Sequence, residues 1–209
     1  MVKRKNPWTD HYTRRAQEEG FPARSVFKLR EVQEKYRLIS PGDRVLDLGC
    51  APGAWSKYAL KMVGPRGLVV GVDLAEVKIS APNFVFLQAD VFEISPEELR
   101  RWAPEGFQVV LSDLAPKTTG DRTGDHFRSL HLARRALELA RHLLSPGGNF
   151  MVKVFEGEKL PVFRKEVEAL FSRVKPFRPR STRKASREIF LLAFGKRAGT
   201  SEKGERSSL

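Results

Sequence analysis

At 209 residues, 41% of them hydrophobic, the chain has enough material for one α/β core and its tails. Its 38 Lys and Arg against 25 Asp and Glu leave a net charge of +13, which favours a polyanionic partner because each neutralised phosphate releases counterions. A single cysteine rules out an internal disulfide and a CxxC metal clip, no apolar run reaches the roughly 18 residues of a membrane span, and the basic start leads into no apolar segment of the kind a secretion signal needs; a cytoplasmic protein without a metal site is expected.

Residues 1–22 read as a loosely tied basic arm, with Lys3, Arg4, Lys5, Arg14 and Arg15 around Trp8, Tyr12 and Phe21. A helix is predicted over 24–36, where Val26, Leu29, Val32 and Tyr36 recur near a 3.6 period. Ser40-Pro41-Gly42-Asp43 turns the chain into a strand at 44–48, and a helix of about 54–62 ends at Gly64-Pro65-Arg66-Gly67. Strands follow at 68–73 and 84–87, then a short acidic helix near 96–102 and a strand at 107–113. A long helix at 130–144 stops at Ser145-Pro146-Gly147-Gly148. A strand at 149–155, a helix at 161–174 and two strands near 173–178 and 188–194 complete the series.

Alternating strands and helices imply a parallel sheet covered on both faces. The last two strands have no helix between them and should form an antiparallel hairpin at one edge. The fold class expected is therefore α/β: a Rossmann-like, mostly parallel seven-stranded sheet spanning 23–195. Residues 196–209 read as a polar, disordered tail.

The stretch Asp47-Leu48-Gly49-Cys50-Ala51-Pro52-Gly53-Ala54-Trp55 carries an apolar strand through a tight small-residue loop into a helix. Glycines there let backbone approach a bound nucleotide. The loop lacks the middle glycine of G-x-G-x-x-G, so a dinucleotide dehydrogenase is disfavoured. An acid before the loop suits a cationic or hydroxyl-bearing ligand, which points to S-adenosylmethionine. Asp73 ends the second strand, where an acid can bind both hydroxyls of a ribose, and Asp90 follows the third, where it can accept from an adenine amino group. Taken singly, Asp73 suits a helix cap and Trp55 suits a core; together, on successive strand ends, they favour an adenosine site with Gly53. Cys50 lacks a His or Asn partner pattern and reads as small-residue packing.

Lys153 interrupts the apolar Phe150-Met151-Val152-Lys153-Val154-Phe155. A lysine can protect an edge strand, but this strand should be central, and a buried ammonium needs a partner. Asp113, ending the neighbouring strand in Ser112-Asp113-Leu114-Ala115-Pro116, can supply it. Lys28 and Glu188 alone read as a solvated helix residue and a strand-end ion pair.

With these motifs in hand, the chain resembles the FtsJ/RrmJ family of RNA ribose 2′-O-methyltransferases over about residues 8–195. The resemblance rests on Ser25-Val26-Phe27-Lys28-Leu29, the 47–55 loop, Gly71-Val72-Asp73, Asp90, 112–116, 152–155 and Ser186-Arg187-Glu188. It implies a catalytic tetrad of Lys28, Asp113, Lys153 and Glu188, and cofactor contacts from Gly53, Trp55, Asp73, Asp90 and Asp113. It also implies methyl transfer from S-adenosylmethionine to a uridine ribose of large-subunit ribosomal RNA, within or on the way to the ribosomal subunit. Lys153 is expected either to act as general base or only to hold the hydroxyl, with Asp113 orienting it and Lys28 and Glu188 positioning the ribose. The basic arm and the Arg173–Arg187 segment are expected to hold RNA backbone, Trp8 either stacking on a base or packing inward. A transfer-RNA or messenger-RNA-cap substrate, and a non-catalytic RNA-binding assembly factor, are the alternatives.

Overall fold

The computed structural model describes residues 7–183 and 185–199. Its elements are α1 (Pro7–Glu18), α2 (Val26–Tyr36), β1 (Arg44–Leu48), α3 (Ala54–Val63), β2 (Leu68–Asp73), β3 (Phe84–Gln88) and α4 (Pro96–Arg100). They continue as β4 (Phe107–Ser112), α5 (Arg122–Leu143), β5 (Leu144–Phe155), α6 (Leu160–Leu170), β6 (Phe171–Phe177) and β7 (Glu188–Lys196). The seven strands form one sheet in the order β3-β2-β1-β4-β5-β7-β6. The first five are parallel, and β7 runs antiparallel between β5 and β6. Strand order reverses between β1 and β4, the point at whose carboxyl ends open α/β sheets characteristically bind ligands.

Two hydrophobic layers cover the sheet. On one face Leu46, Leu48, Val110, Phe150, Val152, Val154, Leu191 and Ala193 pack under α4, α5 and α6. On the other, Val45, Val109, Leu111, Met151, Phe190 and Leu192 meet α2, α3 and the α1–α2 connection. Because strand side chains alternate, this parity settles which polar residues share a face. Asp47, Asp113, Lys153 and Glu188 all fall in phase with the second set, and α2 brings Lys28 to the same side.

Four local expectations change. The arm is not loose over its described part: α1 is a twelve-residue helix, Ala16 and Phe21 are buried, and Tyr12 meets Phe27 at a centroid distance of 5.4 Å. Arg30 of α2 binds Glu19 just after α1, which ties the two together. Helix α5 starts at Arg122, eight residues before the apolar period begins, because Asp121 caps it by accepting from the Thr123 and Gly124 N–H groups at 3.0 Å. The turn at 145–148 lies inside β5 as an irregularity: Phe107 pairs with Leu144 and Val109 with Asn149. Finally α6 stops at Leu170 and β6 begins at once, while β7 runs to Lys196, one residue past the expected domain end. Lys3, Arg4, Lys5, the side chain of Trp8 and the tail from 200 onward lie outside the described residues.

Candidate active site

The loop after β1 is shaped by contact with the loop after β4. Gly49 has φ +77, and a Cβ there would lie 2.9 Å from Leu114 Cδ2 and 3.0 Å from the Leu114 backbone nitrogen. Only glycine allows both the turn and that approach. Gly53, at φ +100, faces Val77 and Ile79, which a Cβ would meet at 3.0 Å. Asp73 Oδ2 accepts from the Ala51 N–H and Oδ1 from the Ala75 N–H, both at 2.9 Å, so this carboxylate joins the cradle to the loop after β2. Asp90 Oδ1 accepts from the Phe92 N–H at 2.9 Å and turns the chain after β3. The structure thus places Gly53, Asp73 and Asp90 on successive strand ends, each already organising its own loop. Trp55 is 2% exposed, packs beside Phe190 and donates from Nε1 to the Ser25 carbonyl at 2.8 Å. Packing of α3 on the start of α2 accounts for that residue by itself.

Under the cradle lies Asp47, fully buried, with Ser56 Oγ donating to its Oδ2 at 2.6 Å. Burial pushes its carboxyl up to about 7; the Ser56 hydrogen bond opposes this, and the charges of Asp113 and Asp73 add to it. Cys50 is buried too, its Sγ against Gly71, and burial together with the Asp47 and Asp73 charges drives the thiol well above its ordinary range. Cys50 is packing, not a nucleophile.

Lys153, 6% exposed, lies on a strand with neighbours on both sides, which removes the edge-protection explanation. Its Nζ donates to the Asp113 backbone carbonyl at 2.6 Å and sits 2.9 Å from Asp113 Oδ1. The directed hydrogen bond is the one to the carbonyl; Oδ1 makes an ionic contact and has no hydrogen-bond donor aimed at it. Lys28 Nζ lies 2.6 Å from Glu188 Oε1, both side chains largely buried. The two ion pairs adjoin: Lys28 Nζ is 5.7 Å from the ring of Phe190, the residue registered opposite Lys153 on β7.

Supporting residues went unseen in the sequence. Thr182 Oγ1 donates to Glu188 Oε1 at 3.2 Å, and Ser186 Oγ accepts from the Glu188 N–H at 3.3 Å. At the end of β5, Ser129 Oγ accepts from the Phe155 N–H and His126 Nδ1 donates to the Phe155 carbonyl, each at 2.9 Å. His126 Nε2 accepts from the Lys159 N–H at 3.3 Å, which fixes Nδ1 as the donor. Polar residues at 126 and 129, on the buried face of α5, were the available signal. Thr182 and Ser56 offered none.

Three buried oxygens at the ends of β1 and β4 lack a hydrogen-bond partner: Asp47 Oδ1, Asp113 Oδ1, which has the ionic contact with Lys153, and Ser112 Oγ, which is in phase with the opposite face of the sheet. Unpaired buried acceptors are costly and call for a donor or a cation. A glycine cradle and acids on successive strand ends at the reversal of strand order fit an adenosyl group, and they mark a Rossmann-like nucleotide-binding fold.

Comparison with known proteins makes this specific. The FtsJ-like methyltransferase profile matches residues 21–196, and the chain belongs to that family and is a methyltransferase. It is 48% identical over 199 residues to ribosomal RNA large subunit methyltransferase E of Desulfatibacillum aliphaticivorans, covering 95% of this chain and 96% of that one. The protein of the same name from Bdellovibrio bacteriovorus is 45% identical over 191 residues, 90% of this chain and 97% of the relative. Among solved structures, a Plasmodium falciparum chain described as a ribosomal RNA methyltransferase superposes with a TM-score of 0.76 over 84% of this chain and 98% of its own. At 23% identity that likeness bears on the fold alone.

Proposed function

We propose that the chain transfers a methyl group from S-adenosylmethionine to the ribose 2′-hydroxyl of a uridine in large-subunit ribosomal RNA, in the cytoplasm, during ribosome maturation. The observation that carries this is the pair of buried ion pairs, Lys153–Asp113 and Lys28–Glu188, side by side at the rim where the cradle loop ends. Relatives named for large-subunit ribosomal RNA, matching nearly the full chain, support that substrate over transfer RNA. An intact tetrad and cradle speak against a non-catalytic assembly factor.

S-adenosylmethionine, when bound, supplies a methyl carbon already activated by its sulfonium charge. Gly53, Asp73 and Asp90 would hold the adenosine, and Asp113 would place a carboxylate near the cation. Trp55 would contribute through the packing of α3 beneath the cradle. The chain's remaining task is to align a ribose oxygen and handle its proton, and alignment alone supplies several kcal/mol. The Asp113 carbonyl and carboxylate fix Lys153 Nζ, which holds the 2′-hydroxyl in line as an ammonium, or takes its proton once it has shed one of its own to solvent. The Lys28–Glu188 pair positions the ribose with one donor and one acceptor. Arg24 donates to the Ser181 carbonyl at 3.3 Å and is pulled below its ordinary value by burial and by Arg183, with Glu188 opposing.

The test is transfer of labelled methyl groups to large ribosomal subunits and, separately, to bulk transfer RNA, with the product nucleoside mapped. Label at a uridine 2′-oxygen is expected from the subunits only. Lys153→Ala should reduce turnover by roughly 10²–10⁴-fold with cofactor affinity unchanged; near-normal turnover would remove Lys153 from the chemistry.

A further inference from the structure

Beside the tetrad, on the outer side of α2, an open groove of about 770 Å³ runs between α1, α2 and the end of β6. Its wall carries five cations against two carboxylates, Glu31 and Glu34. Three of the cations are engaged within the protein. Arg15 and Arg30 bind Glu19, while Arg178 donates to the Ser186 carbonyl and Glu156. The other two, Lys35 and Arg180, are exposed and have no carboxylate partner among the described residues, although Lys35 Nζ lies over the Tyr36 and Phe177 rings at 5.4 and 5.6 Å. Glu31 is partly committed, since it accepts from the Arg180 backbone N–H at 2.8 Å.

A second observation is independent of charge. Ser181 lines the groove, is 7% exposed, and its Oγ has no hydrogen-bond partner. A buried hydroxyl left unpaired costs stability, and a ligand oxygen or amino group would satisfy it. The tetrad residues do not line the groove, but two of its wall residues adjoin that site in sequence. Phe27 in its wall precedes Lys28, and Ser181 precedes Thr182, whose hydroxyl reaches Glu188.

From these features we infer that the groove takes the phosphodiester backbone of a single-stranded RNA segment flanking the target ribose, with Lys35 and Arg180 on phosphates and Ser181 Oγ bonded to a phosphate or ribose oxygen. The inference rests on the proposed RNA substrate and adds the path by which that RNA reaches the tetrad. An open, cation-lined channel with a buried, unpaired hydroxyl in its wall suits a flexible strand better than a duplex, whose phosphates are held in fixed rows.

The experiment uses the full chain with large ribosomal subunits from cells lacking this methylation, and with the protein-free RNA extracted from them. RNA affinity is measured across a potassium chloride series, and cofactor affinity by titration. Lys35→Ala combined with Arg180→Ala should weaken RNA binding about tenfold and lower the slope of log affinity against log salt by about 1.4, the release expected for two single-strand phosphates. Cofactor affinity should not change. Ser181→Ala should weaken RNA binding about threefold with the slope unaltered, since its hydroxyl is neutral.

Three results would overturn the inference. One is an equal loss of slope in Arg66→Ala, on the turn before β2 at the far end of the sheet, which would make the effect one of overall charge. Another is a Ser181→Ala protein that binds RNA as tightly as wild type. The third is a loss confined to assembled subunits, which would assign the groove to a protein neighbour. A wild-type chain that methylates neither substrate would instead reject the proposed function, and this inference with it.

Discussion

Asp47→Asn tests the electrostatics beneath the cradle. A carboxyl raised from its ordinary 3.8 to about 7 binds its proton more tightly in the folded state than in the unfolded one. Folding therefore loses stability as pH climbs past the unfolded value, and the loss is complete once pH exceeds about 7. The gap corresponds to about 4 kcal/mol, an upper figure because relaxation around a buried charge reduces it. Asparagine keeps an acceptor for Ser56 Oγ and removes the titration, at the cost of an amide nitrogen that needs its own acceptor. Denaturant unfolding of both proteins at pH 5 and pH 8 isolates the effect: the constant cost of the amide cancels in the difference between the two pH values. The wild type should lose stability relative to the variant by a few kcal/mol over that interval. A difference between the two proteins that does not vary with pH would refute the reasoning.

Three other substitutions probe separate parts of the structure. Lys196→Ala removes the buried ammonium that donates to the Leu144 carbonyl at 2.7 Å and to the Arg141 carbonyl at the end of α5. It should cost about 1–3 kcal/mol in denaturant unfolding, the price of unpaired acceptors. Gly53→Ala forces a side chain into φ +100 against Val77 and Ile79; a loss of about 1–2 kcal/mol by thermal melting is expected, with weaker binding of S-adenosylmethionine. Thr182→Val deletes the hydroxyl on Glu188. If Thr182 is a positioning residue, kcat should fall severalfold with KM for RNA little changed, and Thr182→Ser should restore it.

Much of this architecture was legible because it follows local rules. The bounds of β1 and β2 match the expected strands, since Gly42-Asp43 and Gly67 punctuate short apolar runs. Lys153 stood out because a charge broke such a run, and Asp113 because it closed the neighbouring one. Elements that depend on single capping contacts were harder to place. The first eight residues of α5 are mostly polar, and only the two hydrogen bonds of Asp121 announce the helix. Helix α1 is held by Glu19 and by rings of α2, partners that its own pattern does not reveal. Thr182, Ser56 and His126 act through residues 6, 9 and 29 positions away. No periodicity records such pairings.

The antiparallel course of β7 explains why Glu188 can serve a site built on parallel strands. A parallel strand next to β5 would begin at the amino end of the sheet, a full strand length from the cradle. Running the other way, β7 begins at the carboxyl rim, and the register sets Glu188 opposite Phe155, just beyond Lys153. Strand parity then turns Glu188 toward α2, as it does Lys153 on β5 and Asp113 after β4. A register slip of one residue would move Glu188 to the α5 side and leave Lys28 buried with no carboxylate. The turn between β6 and β7 therefore has two tasks, setting this register and presenting Arg180 and Arg183. The Thr182 and Ser186 hydroxyls, bonded to the Glu188 carboxylate and N–H, are where those tasks meet, so the conformation of the turn bears directly on the Lys28–Glu188 pair.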